Sequence, residues 1–276
     1  MSEEKQSGFG VRFRGVRGSF PTPTAGNMKY GGNTACVEIV RANGAATLVL
    51  DAGTGIHSLG HSLLKESQHD IHVLLTHFHW DHIQGLTGFL PLYRRGNRMT
   101  YYSSAAPEKL ERVLAGQMAE PYFPVPFGEL AAEQRFLAIT ETMEIDGVTV
   151  TPFALHHPGG ATGYRVACDG KLVVYATDHE HGNKYADARM EEAARGADVL
   201  IYDAQYTPEM YPRRVGWGHS TWLKAAELAK HAGVRQLVLF HHDPEHDDPT
   251  MDSIVEAARA HFPNTVAAAE GLTLIA

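Results

Sequence analysis

Short apolar runs recur along the chain, closed by glycine, proline, asparagine or aspartate, and alternate with stretches of helical period. The runs that read as strands are Val11–Arg14, Cys36–Val40, Thr47–Asp51, Ile71–Thr76, Met99–Ser103, Val148–Leu155, Gly163–Ala167, Leu172–Thr177, Val199–Tyr202 and Leu237–Phe240. Asp146-Gly147 and Asp169-Gly170 stand between apolar or β-branched residues and predict hairpin turns. Helices are predicted over Ile56–Lys65, Pro107–Met118, Ala186–Ala194, Thr221–Ala232 and Pro249–His261. Asp248-Pro249 supplies a cap and a first-turn proline for the last of these. Ser220 offers a cap for the Thr221–Ala232 helix, and Gly233 suits its end.

Hairpins fill the middle of the chain and βα alternation fills both ends. This mixture predicts an α/β protein with two β-sheets face to face and helices on their outer sides. The 276 residues suit one large domain or two fused halves. Prolines and aromatics are too dense over Glu120–Leu130 for a regular element, so this segment is a loop, either a lid or a dimer contact.

Composition narrows the function classes. Hydrophobic residues at 43% and charged residues at 20% are ordinary for a globular core, and the formal net charge is −8. That balance argues against holding long nucleic acid on a broad basic surface, because phosphate affinity rests on Lys and Arg. A small phosphorylated substrate remains open. No run approaches the ~18–20 apolar residues of a membrane span, and the polar start Met1–Gln6 leads into no apolar segment. Cys36 and Cys168, far apart in apolar contexts, read as two buried thiols of a reducing cytoplasm.

The strongest chemical signal follows Ile71–Thr76. His77-Phe78-His79-Trp80-Asp81-His82 places four candidate metal ligands within six residues at a strand end. Imidazoles and a carboxylate so crowded would repel or stay unpaired without a cation. They are also the ligands that Zn²⁺ and its first-row neighbours prefer.

The chain resembles the metallo-β-lactamase-fold hydrolases over nearly its whole length, and the resemblance rests on five motifs in order. They are Asp51-Ala52-Gly53-Thr54-Gly55, His77–His82, His157 six residues before Gly163, Asp178 after Val173–Thr177, and His241 after Leu237–Phe240. The resemblance implies a four-layer αββα fold and a single domain over 1–276, with pseudo-equivalent halves of roughly 1–160 and 161–276. It implies that His77, His79 and His157 hold one divalent metal ion and that Asp81, His82 and His241 hold a second. Asp178 would bridge the two. Zn²⁺ or Mn²⁺ suits these ligands best, and Fe²⁺ also fits. A hydroxide between the cations would be the nucleophile, with Asp81 orienting or deprotonating it, and Asp51 would hydrogen-bond the ligand loop from behind. His157 and His241 are chosen over their neighbours His156 and His242 by spacing and by position after the strand. His179 is left unassigned. Flavodiiron-type oxidoreductases carry a carboxylate where this chain has His79, and the β-lactamases a cysteine where it has Asp178. Both departures point to a dinuclear hydrolase.

Gly216-Trp217-Gly218-His219-Ser220-Thr221 resembles the His-Ser-Thr segment of the phosphodiesterase branch, which includes tRNA 3′-end-processing endonucleases and small cyclic-phosphodiester hydrolases. Gly15–Ser19 and Tyr30–Thr34 also look like this branch. The resemblance implies that His219 acts on the scissile phosphate, as leaving-group acid or phosphate ligand. Arg213 and Arg214 are candidates to pair with a phosphate oxygen, and Asn33 is a candidate to face the site. No Gly-rich basic arm for gripping tRNA is present. The expectation is a dinuclear phosphodiesterase acting on a small phosphodiester such as a cyclic nucleotide, a homodimer as is usual in the branch, with no membrane partner. A thioester or lactone hydrolase on the same scaffold is the alternative. A ligand-binding sensor fits less well, since it need not keep a complete ligand set.

Overall fold

The computed structural model describes residues 8–42, 46–64 and 68–276. The chain enters through β1 (Gly10–Gly15), β2 (Cys36–Val40), β3 (Thr47–Leu50), β4 (Asp70–Leu74), β5 (Arg98–Ser103) and β6 (Glu133–Ala138). It continues through β7 (Met143–Ile145), β8 (Val148–Leu155), β9 (Ala161–Cys168), β10 (Lys171–Ala176), β11 (Val199–Asp203), β12 (Gln236–Phe240) and β13 (Thr265–Ala267). The last strand is β14 (Thr273–Ile275). One sheet has the order β14-β1-β2-β3-β4-β5-β6 and the other β13-β12-β11-β10-β9-β8-β7. Pairing is parallel from β3 to β6 and from β10 to β13, and antiparallel in the rest of each sheet.

The helices are α1 (Ile56–Leu63), the single turn α2 (Trp80–Ile83), α3 (Pro107–Gln117), α4 (Lys184–Ala194), α5 (Trp222–His231) and α6 (Asp248–His261). Successive strand residues point to opposite faces, and the parallel strands use both. Val173, Tyr175, Ile201, Val238 and Phe240 join Leu48, Leu50 and Leu74 in the core between the sheets. The residues between them, Val174, Leu200, Leu237 and Leu239, pack outward with apolar residues of α4, α5 and α6. Val49, Ile71 and Val73 do the same with α1 and α3. Burial on both faces explains why these strands read as continuous apolar runs rather than alternating ones. The four-layer α/β arrangement agrees with the expected class.

Several boundaries need correcting. Asp247, not Asp248, caps α6, since its carboxylate accepts from the Thr250 N–H at 2.9 Å. Asp248 sits one residue later and accepts from the Lys29 N–H at 2.9 Å. Thr221 rather than Ser220 caps α5, accepting from the Lys224 N–H at 3.2 Å. Lys65, expected in α1, lies outside the described residues, as does Met1–Gln6. Both cysteines are free; Cys36 is buried but Cys168 is partly exposed. In Glu120–Leu130, Phe127 is buried against Tyr101 and Phe136, while Tyr122 stands in solvent. Both hairpin turns form as expected, with positive φ at Asp146, Gly147, Asp169 and Gly170. No helix among the described residues is long and apolar enough to cross a membrane.

Candidate metal centre

The expected ligands converge where strands from both sheets end. Asp51 follows β3, His77–His82 follow β4, His157 follows β8, Asp178 follows β10 and His241 follows β12. Four imidazoles are oriented in the same way, with Nδ1 tied to the protein and Nε2 turned to the centre. His82 Nδ1 donates to Asp51 Oδ2 at 2.8 Å, His157 Nδ1 to the Gly218 carbonyl at 2.9 Å and His241 Nδ1 to Gln205 Oε1 at 3.0 Å. His77 Nδ1 lies 3.0 Å from Thr76 Oγ1, which itself donates to Asp51. Such partners fix both the tautomer and the ring orientation of a metal-binding histidine.

The inward atoms fall into two groups around Asp178. Asp178 Oδ1 lies 3.8 Å from His77 Nε2 and 3.7 Å from His157 Nε2, and His157 Nε2 is 3.1 Å from His79 Nδ1. Asp178 Oδ2 lies 3.1 Å from His82 Nε2 and 3.3 Å from His241 Nε2. Asp81 Oδ2 closes the second group, 3.2 Å from His241 Nε2 and 3.3 Å from His82 Nε2. One carboxylate thus turns an oxygen to each group, as a bridging ligand must.

The donor set fits two divalent cations. His77 Nε2 is buried without a hydrogen-bond partner, although its neighbours are the ligand atoms of His79, His157 and Asp178. Burial, reinforced by the imidazoles of His82 and His157, holds His77 well below an ordinary histidine, in the neutral form a metal requires. Burial alone would raise the Asp178 carboxyl, yet the imidazoles of His241, His82 and His77 keep it well below the usual range. Burial would lower His82 too, but Asp178, Asp81 and Asp51 hold it well above 6.5. The carboxylates around His82 favour positive charge at its ring, and a cation on His82 Nε2 would supply that charge in place of a proton. His79 is exposed and opens the first group to solvent.

Beside both groups lies His219. Its ring stacks on His241 at 4.9 Å and meets His157 edge-on at 5.3 Å, and its Nδ1 donates to Asp203 Oδ2 at 2.8 Å. Burial opposes protonation of His219, but Asp203, Asp178 and Asp81 outweigh it and push the pKa up to about 9. Asp203 also accepts from the N–H groups of Asp178 and Ser220, each at 3.0 Å, so a single carboxylate positions Asp178 and this histidine together.

The remaining candidates separate. Arg214 lies 4.4 Å from the Trp217 ring and 5.8 Å from that of Tyr206, which itself stands 5.8 Å from the His219 ring. That sequence of contacts puts Arg214 at the rim of the centre. Arg213 is exposed on the same loop. Asn33 is directed elsewhere: its amide donates to Glu270 Oε2 at 3.0 Å and its N–H to Glu270 Oε1 at 2.7 Å. His156, His179 and His242 are also tied away from the centre. His156 Nδ1 meets the Glu180 carbonyl at 3.0 Å, His179 Nδ1 accepts from the His156 N–H at 3.2 Å, and His242 Nε2 donates to the Ala268 carbonyl at 2.9 Å.

Sequence reasoning missed Asp203, Gln205, Glu180 and the pairing role of Ser19. Ser19 donates its N–H to Asp81 Oδ2 at 2.7 Å. Glu180 accepts from the Gly216 and Gly218 N–H groups at 2.6 and 2.8 Å and so fixes the loop that carries His219. Asp203 had a readable signal, because it ends an apolar strand just as Asp51 and Asp178 do.

Comparison with known proteins agrees with this geometry. Residues 46–242 match the family described as the Beta-lactamase superfamily domain. A Ribonuclease Z of Pseudomonas putida (strain GB-1) is 28% identical over 300 residues, covering 87% of this chain and 90% of its own. Among solved structures, the metallo-β-lactamase fold protein YhfI from Bacillus subtilis superposes with a TM-score of 0.73 at 19% identity, covering 96% of this chain and 99% of its own. A diphosphatase from the PhnP family superposes at 0.70 with 21% identity, covering 96% and 97%. The chain thus belongs to the beta-lactamase superfamily and is a metal-dependent hydrolase with the metallo-β-lactamase fold.

Proposed function

We propose that the protein is a dinuclear phosphodiesterase acting on a small phosphodiester, with cyclic nucleotides among the candidates. One observation carries this reading: a two-faced carboxylate, Asp178, with an Asp203–His219 pair at its side. Kinship with the phosphodiesterase branch, whose relatives include enzymes named Ribonuclease Z, supports the same bond class. His77, His79 and His157 would hold one ion and Asp81, His82 and His241 the other, with Asp178 between them. Bound there, such ions would supply water activation at neutral pH and charge stabilisation of an anionic transition state.

The chain's own groups do the rest. Asp81, fixed by the Ser19 N–H, orients the attacking water. As water oxygen bonds to phosphorus, Asp81 takes the proton that the water gives up, the bond to the leaving oxygen breaks, and His219 Nε2 gives that oxygen its proton. Asp203 holds the imidazole in the tautomer this requires. Arg214 has no carboxylate partner among the described residues and is free to pair with a non-bridging phosphate oxygen. Arg213 on the same loop is the second candidate for that contact. Zn²⁺ or Mn²⁺ suits the ligands best, with Fe²⁺ third. Cytoplasmic location, homodimer formation and a single hydrolase domain complete the proposal.

A panel of phosphodiester, phosphomonoester, thioester and lactone substrates on metal-loaded protein tests it. The diester should be hydrolysed far faster than the matching monoester, since a single clamp accepts one bridging anion. Thioester or lactone turnover faster by orders of magnitude would replace this reading with the other hydrolase chemistry.

A further inference from the structure

Three segments reach the metal centre, and each carries a large exposed aromatic beside the residue that makes the contact. Phe20 is 67% exposed and follows Ser19, whose N–H is on Asp81. Trp80 is 62% exposed and stands between His79 and Asp81. Trp217 is 55% exposed and precedes Gly218, whose carbonyl holds His157. Adjacent Cα atoms are about 3.8 Å apart, so all three side chains leave the backbone next to a residue that contacts the centre. Among the described residues, the other exposed large aromatics are Tyr122 and Tyr185, neither of which adjoins a proposed ligand. Exposed aromatic side chains set around a polar centre mark a binding face.

The occupant follows from the chemistry. A phosphodiester offers its phosphate to the cations; what remains for recognition is whatever its two oxygens carry. Planar platforms suit planar rings, and base–aromatic stacking tolerates any nucleobase. Arg214, stacked on Trp217 at 4.4 Å, adds a cation beside one platform. With a net charge of −8, the chain lacks the broad electrostatic grip that would make stacking dispensable.

Resting on the phosphodiesterase reading, we propose that Phe20, Trp80 and Trp217 form a stacking rim and that the substrate is a nucleotide phosphodiester with a base on at least one side of the scissile phosphate. The rim holds the base by its face, leaves the identity of the base weakly read, and contributes to KM more than to kcat.

Two measurements on the metal-loaded protein decide it. The first is the ratio of kcat/KM for thymidine 5′-(p-nitrophenyl phosphate) to that for methyl p-nitrophenyl phosphate, which differ in the nucleoside alone. In Trp80→Ala and Trp217→Ala this ratio should fall roughly 5–150-fold per platform, carried by KM, with Trp→Phe restoring most of it. A ratio unchanged in all of the alanine variants overturns the rim. The second is indole fluorescence during titration with a dinucleotide. The chain has three tryptophans, and two of them are platforms, so stacking should quench most of the emission, and the double alanine variant should lose that response. Quenching without turnover of either ester would keep the rim and remove the phosphodiesterase reading. Turnover of both esters with no quenching would do the reverse.

Discussion

Asp203→Asn is the most demanding test of the proton-donor assignment. The substitution removes the negative charge 2.8 Å from His219 Nδ1 and keeps one oxygen for the Ser220 N–H. Burial lowers His219, so it is Asp203, with Asp178 and Asp81, that brings it to about 9. A hydrogen bond to a charged group contributes about 1.5–3 kcal/mol, and one pH unit corresponds to about 1.36 kcal/mol. The His219 pKa should therefore fall by about 1–2 pH units in the variant. A general acid acts in its protonated form, so activity is present below its pKa and lost as pH rises through it. The alkaline limb of kcat must move to lower pH by the same interval. Cations bound beside His219 push it down in both proteins; the wild-type limb then lies at or below about 9, and the difference between the two is the diagnostic quantity. The raised pKa also links to stability, whose contribution is full below the unfolded value near 6.5 and lost as pH approaches about 9. The assay is a pH–rate profile on one diester with an alkoxide leaving group and one with nitrophenolate, with metal content measured alongside. Coincident limbs for wild type and variant, or equal losses on both substrates at every pH, would refute the role given to His219.

Further outcomes follow from single contacts. Purified protein should carry close to two transition-metal ions per chain, and Asp178→Ala should lose at least one by elemental analysis, because both groups turn to that carboxylate. Gly18→Ala should weaken metal binding roughly 10–100-fold in a chelator titration, since its Cβ would stand 2.4 Å from His241 Nδ1 and 2.8 Å from Gln205 Oε1. Tyr175→Phe removes the hydroxyl that donates to Asp51 at 2.9 Å and should cost about 1 kcal/mol in urea denaturation, with both metals retained. His219→Ala should keep its metals while losing roughly 10²–10⁴ in kcat on the poor leaving group, and far less on nitrophenolate.

Legibility in the sequence followed burial and locality. The parallel strands β3, β4, β10, β11 and β12 are apolar on both faces, so their runs could be read directly. Edge strands could not. β6 alternates exposed Glu133, Arg135 and Leu137 with half-buried neighbours, and β7, β13 and β14 are three residues each, too short for a period to register. The same division holds in the site. His77 to His82 announce themselves because four candidate ligands fall within six residues. Asp203 and Gln205 act on His219 and His241 across gaps of 16 and 36 residues, and only the parallel register of β10, β11 and β12 brings those strand ends side by side. Asn33 misled for the opposite reason: its glycine-rich setting is local, while its partner Glu270 lies 237 residues away.

Backbone strain shows where the fold gives way to chemistry. Among the described residues, six non-glycine positions have positive φ. Asp146 and Asp169 are hairpin turns, where an aspartate tolerates that conformation. The other four are Ser19, Asp51, Asp178 and His241, at φ of 58°, 61°, 58° and 61°, and all four touch the metal centre. Three of them stand just past a strand end. There the chain must stop pairing and reverse the side chain toward the gap between the sheets, which the extended conformation cannot do. Each such residue costs about 1–3 kcal/mol and persists because the buried strands behind it leave no alternative path. Replacing Asp178 by glycine would relieve the strain and lose the carboxylate that turns to both groups of imidazoles, so stability and site geometry conflict at that position. The burial of both faces of β10 and β12 is what allows the conflict to be resolved in favour of function.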